Sequence, residues 1–161
     1  MRIHTAALRA APLLLLCLSL AHPASASVDR GSSEVANTRL VQQAFDDWKH
    51  GRGSVFDLLA DGAEWKVAGS SPVSGTYRSR QELLDRAVRP IHARLATPIV
   101  PEVKQIIAQG RHVVVLWDGT ATTRDGRPYL NSYAWHLVMA NGRITQVTAF
   151  LDTWLLNELM K

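Results

Sequence analysis

The sequence predicts an α+β domain, in which helices cover one face of a curved antiparallel sheet and the two layers enclose a pocket. Three observations carry that prediction. Apolar residues recur at helical spacing through the first half of the chain. After Pro98 and Pro101 the texture changes to β-rich runs separated by turn residues. Two dipeptides with strong hairpin preference, Asp125-Gly126 and Asn141-Gly142, join the last of those runs.

The elements follow in order. Residues 1–26 read as a cleavable export signal: Arg2 and Arg9 give a positive start, an apolar run from Ala10 to Ala21 follows, and Ala24-Ser25-Ala26 offers a small-x-small cleavage pattern. The run is too short to cross a bilayer, which takes about 20 residues. Residues 27–33 are small and polar and are expected as a mobile lead-in to a domain over 34–161. From Glu34 to His50, Val41, Ala44, Phe45 and Trp48 define the apolar stripe of a helix that Gly51 stops. Ser54 and Asp57 open a short second helix, and a strand is expected over Glu64–Ala68. Ser79 with Glu82 forms a capping box for a third helix, which Pro90 should kink or end. Strands are then expected at Val103–Ala108, His112–Thr122, Tyr129–Ala140 and Arg143–Leu151, and a last helix from Thr153.

Composition excludes several classes. Loss of Arg2 and Arg9 with the export segment leaves 16 basic against 14 acidic residues, so formal net charge falls from +4 to +2. That is no electrostatic footprint for nucleic acid. Cys17, the only cysteine, leaves with the same segment, so the mature chain has no disulfide and no thiol nucleophile. A periplasmic or secreted protein that folds by packing alone is the expectation. The mature histidines, His50, His92, His112 and His136, have no zinc-motif spacing, and no metal or cofactor is expected. No phosphate-loop lysine follows the glycine-containing loops, and there is no Gly-x-Ser-x-Gly elbow.

Register arithmetic gathers polar groups. Two-residue turns at both hairpin dipeptides would set Asp152 opposite Asn131, Phe150 opposite Tyr133, Asp118 opposite Tyr133 and Thr120 opposite Asn131. Paired residues share a face. Asp118, Thr120, Asn131, Tyr133, Trp135 and Asp152 then lie on one side with Leu116 and Phe150, while His112 and His136 fall on opposite faces. Carboxylates in an apolar pocket have raised pKa values and suit proton transfer near neutral pH. Asp152, Asp118 and Tyr133 are therefore the candidate catalytic residues. Asn131, Thr120, Trp135, Trp65, Leu116 and Phe150 are the candidate substrate contacts. A competing structural reading makes Asp152 the N-cap of the last helix and Asp118-Gly119 a bulge or strand end.

The string Glu64-Trp65-Lys66-Val67-Ala68-Gly69, then Gly75-Thr76-Tyr77, the capped helix from Ser79, and the runs Gly126 to Tyr133, Asn141 to Ile144 and Phe150-Leu151-Asp152 together resemble the SnoaL-like branch of the nuclear-transport-factor-2-like superfamily. The resemblance covers about residues 34 to 160. It implies a cone-shaped fold around one deep pocket, in a group that includes steroid isomerases, polyketide cyclases, limonene-epoxide hydrolases, dehydratases and pockets without known chemistry. It also implies a pocket aspartate at Asp152, similarity of Asp118 to the partner aspartate of the epoxide-hydrolase branch, and dimers formed through the outer sheet face. Leu116 stands where that branch carries an arginine, which argues against epoxide hydrolysis. Three readings result: acid-base chemistry on a small apolar molecule, binding of such a molecule without turnover, or an interaction domain whose outer sheet face pairs with itself or with another periplasmic component.

Overall fold

A computed structural model describes residues 24–161. The export segment expected over residues 1–26 lies outside the described residues apart from its last three, which begin the first helix. Helix α1 spans Ala24–Lys49. Residues 27–33 are helical and continue α1, where the sequence suggested a lead-in. Once the apolar stripe at Val41, Ala44 and Phe45 is packed, each preceding residue extends the helix by one hydrogen bond without a new nucleation cost. Glu34 Oε1 accepts a hydrogen bond from the Gly110 amide at 2.5 Å, which pins α1 to the sheet end.

A single 3-10 turn, Val55–Leu58, is closed by the Ser54–Asp57 capping box. Strand β1 (Leu59–Val67) starts earlier than its apolar pattern suggested, and β2 (Gly75–Tyr77) turns back on it. A continuous helical segment follows: α2 (Arg80–Leu83), a π-turn (Leu84–Val88) and α3 (Arg89–His92). Pro90 explains the wide turn. It has no N–H to give to the preceding turn, and the helix loosens just upstream and continues. Strands β3 (Val100–Gln109), β4 (His112–Thr122), β5 (Pro128–Ala140) and β6 (Arg143–Leu151) lead into α4 (Thr153–Met160).

The six strands form one sheet in the order β2-β1-β6-β5-β4-β3. It is mixed: β1 and β6 run parallel, while every other pairing is antiparallel. The core lies between the inner face of this sheet and the helices, with Val41, Phe45, Val113, Val115, Trp117 and Leu137 almost fully buried. No described helix is long and apolar enough to cross a membrane.

Both hairpins depart from the expected register by one residue. At the β4–β5 turn only Gly126 has positive φ, whereas a two-residue type I′ turn requires it at both central positions. The loop therefore holds three residues between Thr123 and Arg127, with Gly126 in the left-handed position, and Asp118 pairs with Ser132. At the β5–β6 turn Asn141 and Gly142 both have positive φ, as a type I′ turn needs, and Ala140 pairs with Arg143. A bulge then inserts Thr145, whose Oγ1 donates to the Val138 carbonyl at 3.1 Å. Beyond it, Tyr133 pairs with Leu151 and Phe150 with Ala134.

Candidate functional site

The inner face of β4, β5 and β6, roofed by α1, the α2–α3 segment and α4, leaves a cavity of about 90 Å³. Its lining is almost wholly apolar: Trp48, Phe56, Trp65, Trp117 and Trp135 form aromatic walls, with Leu83, Ile91, Ile99, Leu151 and Leu156 among the aliphatic ones. Alternation along β5 supplies the floor, because Tyr129, Asn131, Tyr133 and Trp135 fall on the same face. Tyr133 stacks on Trp117 with centroids 3.9 Å apart and planes 6° from parallel, and Trp135 meets Trp117 edge-on at 4.7 Å. Gly119 makes the stack possible. A Cβ there would stand 3.0 Å from atoms of Ile99, Trp117 and Tyr133.

One polar network enters this apolar shell. Asn131, 5% exposed, is held by the backbone of Asp152: the Asp152 amide donates to Asn131 Oδ1 at 3.1 Å, and Asn131 Nδ2 donates to the Asp152 carbonyl at 3.0 Å. This pairing fixes which end of the amide is nitrogen. The same Nδ2 donates to Tyr129 Oη at 3.1 Å, and Tyr129 Oη lies 3.1 Å from Tyr133 Oη. Burial pushes both phenols above the ordinary tyrosine range, so each stays a neutral hydrogen-bond donor. His92, the last residue of α3, also lines the cavity. Its residue surface is partly open to solvent, but the apolar surroundings still hold its imidazole pKa below the ordinary value.

The candidate residues divide accordingly. Tyr133, Trp135 and Trp65 line the cavity, and Asn131 supports it from behind. Asp118, Thr120, Leu116 and Phe150 do not reach it. The one-residue shifts of both hairpins turn them to the outer sheet face, where Phe150 is 53% exposed. Asp118 there accepts from Ser132 Oγ at 2.7 Å and pairs with Lys104 at 3.3 Å. These two partners hold its carboxyl below the usual carboxylate range, opposite to the shift expected in an apolar pocket. Asp152 is exposed and caps α4, accepting from the amides of Trp154 at 2.9 Å and Leu155 at 3.2 Å. The same shift brings His112 and His136 to one face, with Nδ1 of the first 3.0 Å from Nε2 of the second. Among the described residues no group of three or more His, Cys, Asp or Glu side chains is placed to hold a metal ion.

The model of the SnoaL-like domain matches residues 41–147, well over half of the chain. The chain belongs to the SnoaL-like domain family. Solved structures share the fold. An NTF2-like protein of unknown function from Burkholderia pseudomallei K96243 superposes with a TM-score of 0.66 at 22% identity, over 78% of this chain and 98% of that one. A candidate SnoaL-like polyketide cyclase from Jannaschia sp. CCS1 gives 0.63 at 13% identity, over 80% and 93%. TerC, crystallised with polyporic acid, gives 0.63 at 17% identity, over 78% and 98%. No curated protein matches the chain in sequence.

Within this SnoaL-like domain several cavity residues escaped the sequence reading. Tyr129 had a usable signal, since it lies two and four residues before Asn131 and Tyr133 on the same strand face. Trp48 was visible as the end of the α1 stripe. Trp117 shares the face of Tyr133 only in the observed register, and nothing in the spacing around His92 marks it as a cavity residue.

Proposed function

We propose that this SnoaL-like domain binds a compact, largely apolar molecule carrying one hydrogen-bond-accepting oxygen, such as a ketone. The observation that carries the reading is the chain of hydrogen bonds from Asn131 through Tyr129 to Tyr133 inside an otherwise apolar cavity. Asn131 Nδ2 has no choice but to donate, so it occupies a lone pair of Tyr129 Oη. Tyr129 and Tyr133 share one hydrogen bond between their hydroxyls, so one of the two phenol protons is left for the ligand. Each donation polarises the next, which strengthens the terminal donor. Apolar walls reward hydrocarbon at about 25 cal/mol per Å² buried.

The cavity is smaller than the roughly 150 Å³ site that encloses benzene. A ligand buries only a small group beside Tyr133 and extends toward the open side. Proton transfer by an aspartate, the chemistry first expected, has no geometric support in this site. Export belongs to this proposal, on the strength of the sequence over residues 1–26. So does self-association through the outer sheet face, where Leu130 and Phe150 are exposed at 60% and 53%.

Native mass spectrometry of the protein purified from the periplasm or medium of its own host tests the reading. A retained neutral molecule with a carbonyl or similar acceptor is the expected result. Retention of a polar or multiply charged ligand would overturn it. N-terminal sequencing of the same material tests removal of residues 1–26.

A further inference from the structure

His112 and His136 form a pair that the cavity does not use. Side chains alternate along a strand, so with Val113, Val115 and Trp117 of β4 and Trp135 and Leu137 of β5 turned inward, both histidines stand on the outer face. His112 pairs with Val138 and Val114 pairs with His136, which makes the two histidines diagonal neighbours. Long side chains bridge that diagonal. Nδ1 of His112 lies 3.0 Å from Nε2 of His136, with ring centroids 5.2 Å apart and planes within 12° of parallel. The two nitrogens therefore face each other from opposing ring edges.

The backbone under this pair is fixed. Strands β4 and β5 are interior to the sheet, and their pairing runs from His112 to Thr122 without a shift, so only side-chain torsions are free. His112 is exposed and His136 half-buried, which opens the pair to solvent. The residues directly opposite them on neighbouring strands, Gln109, Val114, Val138 and Thr148, carry no charge.

We propose that His112 Nδ1 and His136 Nε2 chelate a divalent transition-metal ion, Cu(II) most tightly, on the sheet face opposite the cavity. With metal–nitrogen bonds of about 2.0–2.1 Å, two imidazole nitrogens on one ion stand about 2.8–3.0 Å apart at right angles and about 3.3–3.4 Å apart in a tetrahedron. The observed 3.0 Å matches the first arrangement and falls slightly short of the second. The ion sits to one side of the line joining the nitrogens, and the rings reach it by rotating about their side-chain bonds. Without metal, one ring N–H donates to the lone pair of the other. With metal, both lone pairs turn to the ion, and the donating ring moves its proton to its other nitrogen. No proton is lost, since each neutral ring keeps one N–H. Imidazole suits copper, nickel and zinc, and affinity among the divalent ions peaks at Cu(II). Two protein ligands leave the remaining positions to water, so the site is exchangeable, unlike a closed four-ligand zinc centre. Because it uses the other face of the sheet, this inference stands apart from the binding reading above.

The experiment titrates tag-free, chelator-stripped protein with Cu(II), Ni(II) and Zn(II) salts by calorimetry. One Cu(II) per chain is expected, bound more tightly than either other ion. His112→Phe and His136→Phe each keep a ring on the strand and remove its nitrogens. Each should weaken Cu(II) binding by about a hundredfold, at least as much as losing a supporting partner costs a metal site. His50→Gln should leave it unchanged, and circular dichroism checks that the variants are folded. In the unaltered protein, substoichiometric Cu(II) should broaden the ring-proton NMR signals of His112 and His136 before those of His50 and His92, a readout that needs no variant. Absence of Cu(II) binding, an affinity that survives either phenylalanine variant, or broadening that begins at His50 or His92 overturns the site.

Discussion

Tyr129 and Tyr133 share a hydrogen bond of 3.1 Å on one face of β5, four residues apart, with Asn131 between them feeding a donor into Tyr129. An amide nitrogen can only donate, which fixes the first bond of this chain. Removing its last hydroxyl should cost the ligand its polar anchor and little else. Tyr133→Phe keeps the ring that stacks on Trp117, and it should weaken binding of a ketone probe about three- to tenfold, in line with one neutral hydrogen bond. Titration calorimetry against the same probe checks this, and an unchanged affinity would place the anchor elsewhere.

Asn131→Leu acts on the other end of the chain. It strips the partners from the Asp152 amide and carbonyl and leaves Tyr129 Oη without its donor. Buried or half-buried groups left unpaired cost about 1–3 kcal/mol. The variant should lose stability of that size in urea unfolding, and its ketone affinity should fall as well.

Alkaline pH should destabilise the fold through the same phenols. Their folded pKa values are raised above the ordinary value of 10, so between those limits the unfolded chain releases protons that the folded chain retains. Stability from these groups is therefore full below pH 10 and declines as pH rises above it. Phenolate absorbance from Tyr129 and Tyr133 should grow in step with unfolding. The double variant Tyr129→Phe, Tyr133→Phe should flatten that decline, and an equally steep decline in it would exclude the phenols as the cause.

Gly119→Ala should damage the site through packing. The added methyl would meet Ile99, Trp117 and Tyr133 at 3.0 Å, within the most tightly stacked part of the wall. Overpacking of this kind costs about 1–3 kcal/mol. A shift of the unfolding midpoint together with altered tryptophan fluorescence is expected, whereas an unaltered spectrum would mean that the stack yields without cost.

The element order and the strand face of β5 were legible in the sequence, and the assignment of the aspartates was not. The α1 stripe, the Ser79 cap and both hairpin dipeptides sit where their chemistry puts them, while Glu82 takes the Arg78 amide in place of the Ser79 amide that a full capping box uses. What failed was one residue of register at each hairpin. Asp-Gly supports both a two-residue turn and a three-residue loop with glycine in the left-handed position, and only the backbone angle at Asp125 distinguishes them. The Thr145 bulge lies between an ordinary turn and an ordinary strand and has no compositional mark. Because side chains alternate with period two, these two single-residue shifts moved Asp118, Thr120, Leu116 and Phe150 outside together and brought Trp117 and Leu151 in. Tyr133, Trp135 and Asn131 stay on one face because their mutual placement depends on one strand alone.

Asp152 gives the sharpest test of that corrected geometry. Its carboxylate accepts from the amides of Trp154 and Leu155, and its backbone, not its side chain, serves Asn131. Asparagine caps a helix about as well as aspartate, so Asp152→Asn should leave both unfolding stability and ketone binding close to wild type. Asp152→Ala removes the cap and should cost about 1 kcal/mol, with any change in binding following the displacement of Asn131 rather than the loss of a charge. A pocket carboxylate would show the reverse order. Asp152→Asn would then abolish turnover or binding at unchanged stability, and that outcome would return the aspartate to the cavity and put the observed register in question.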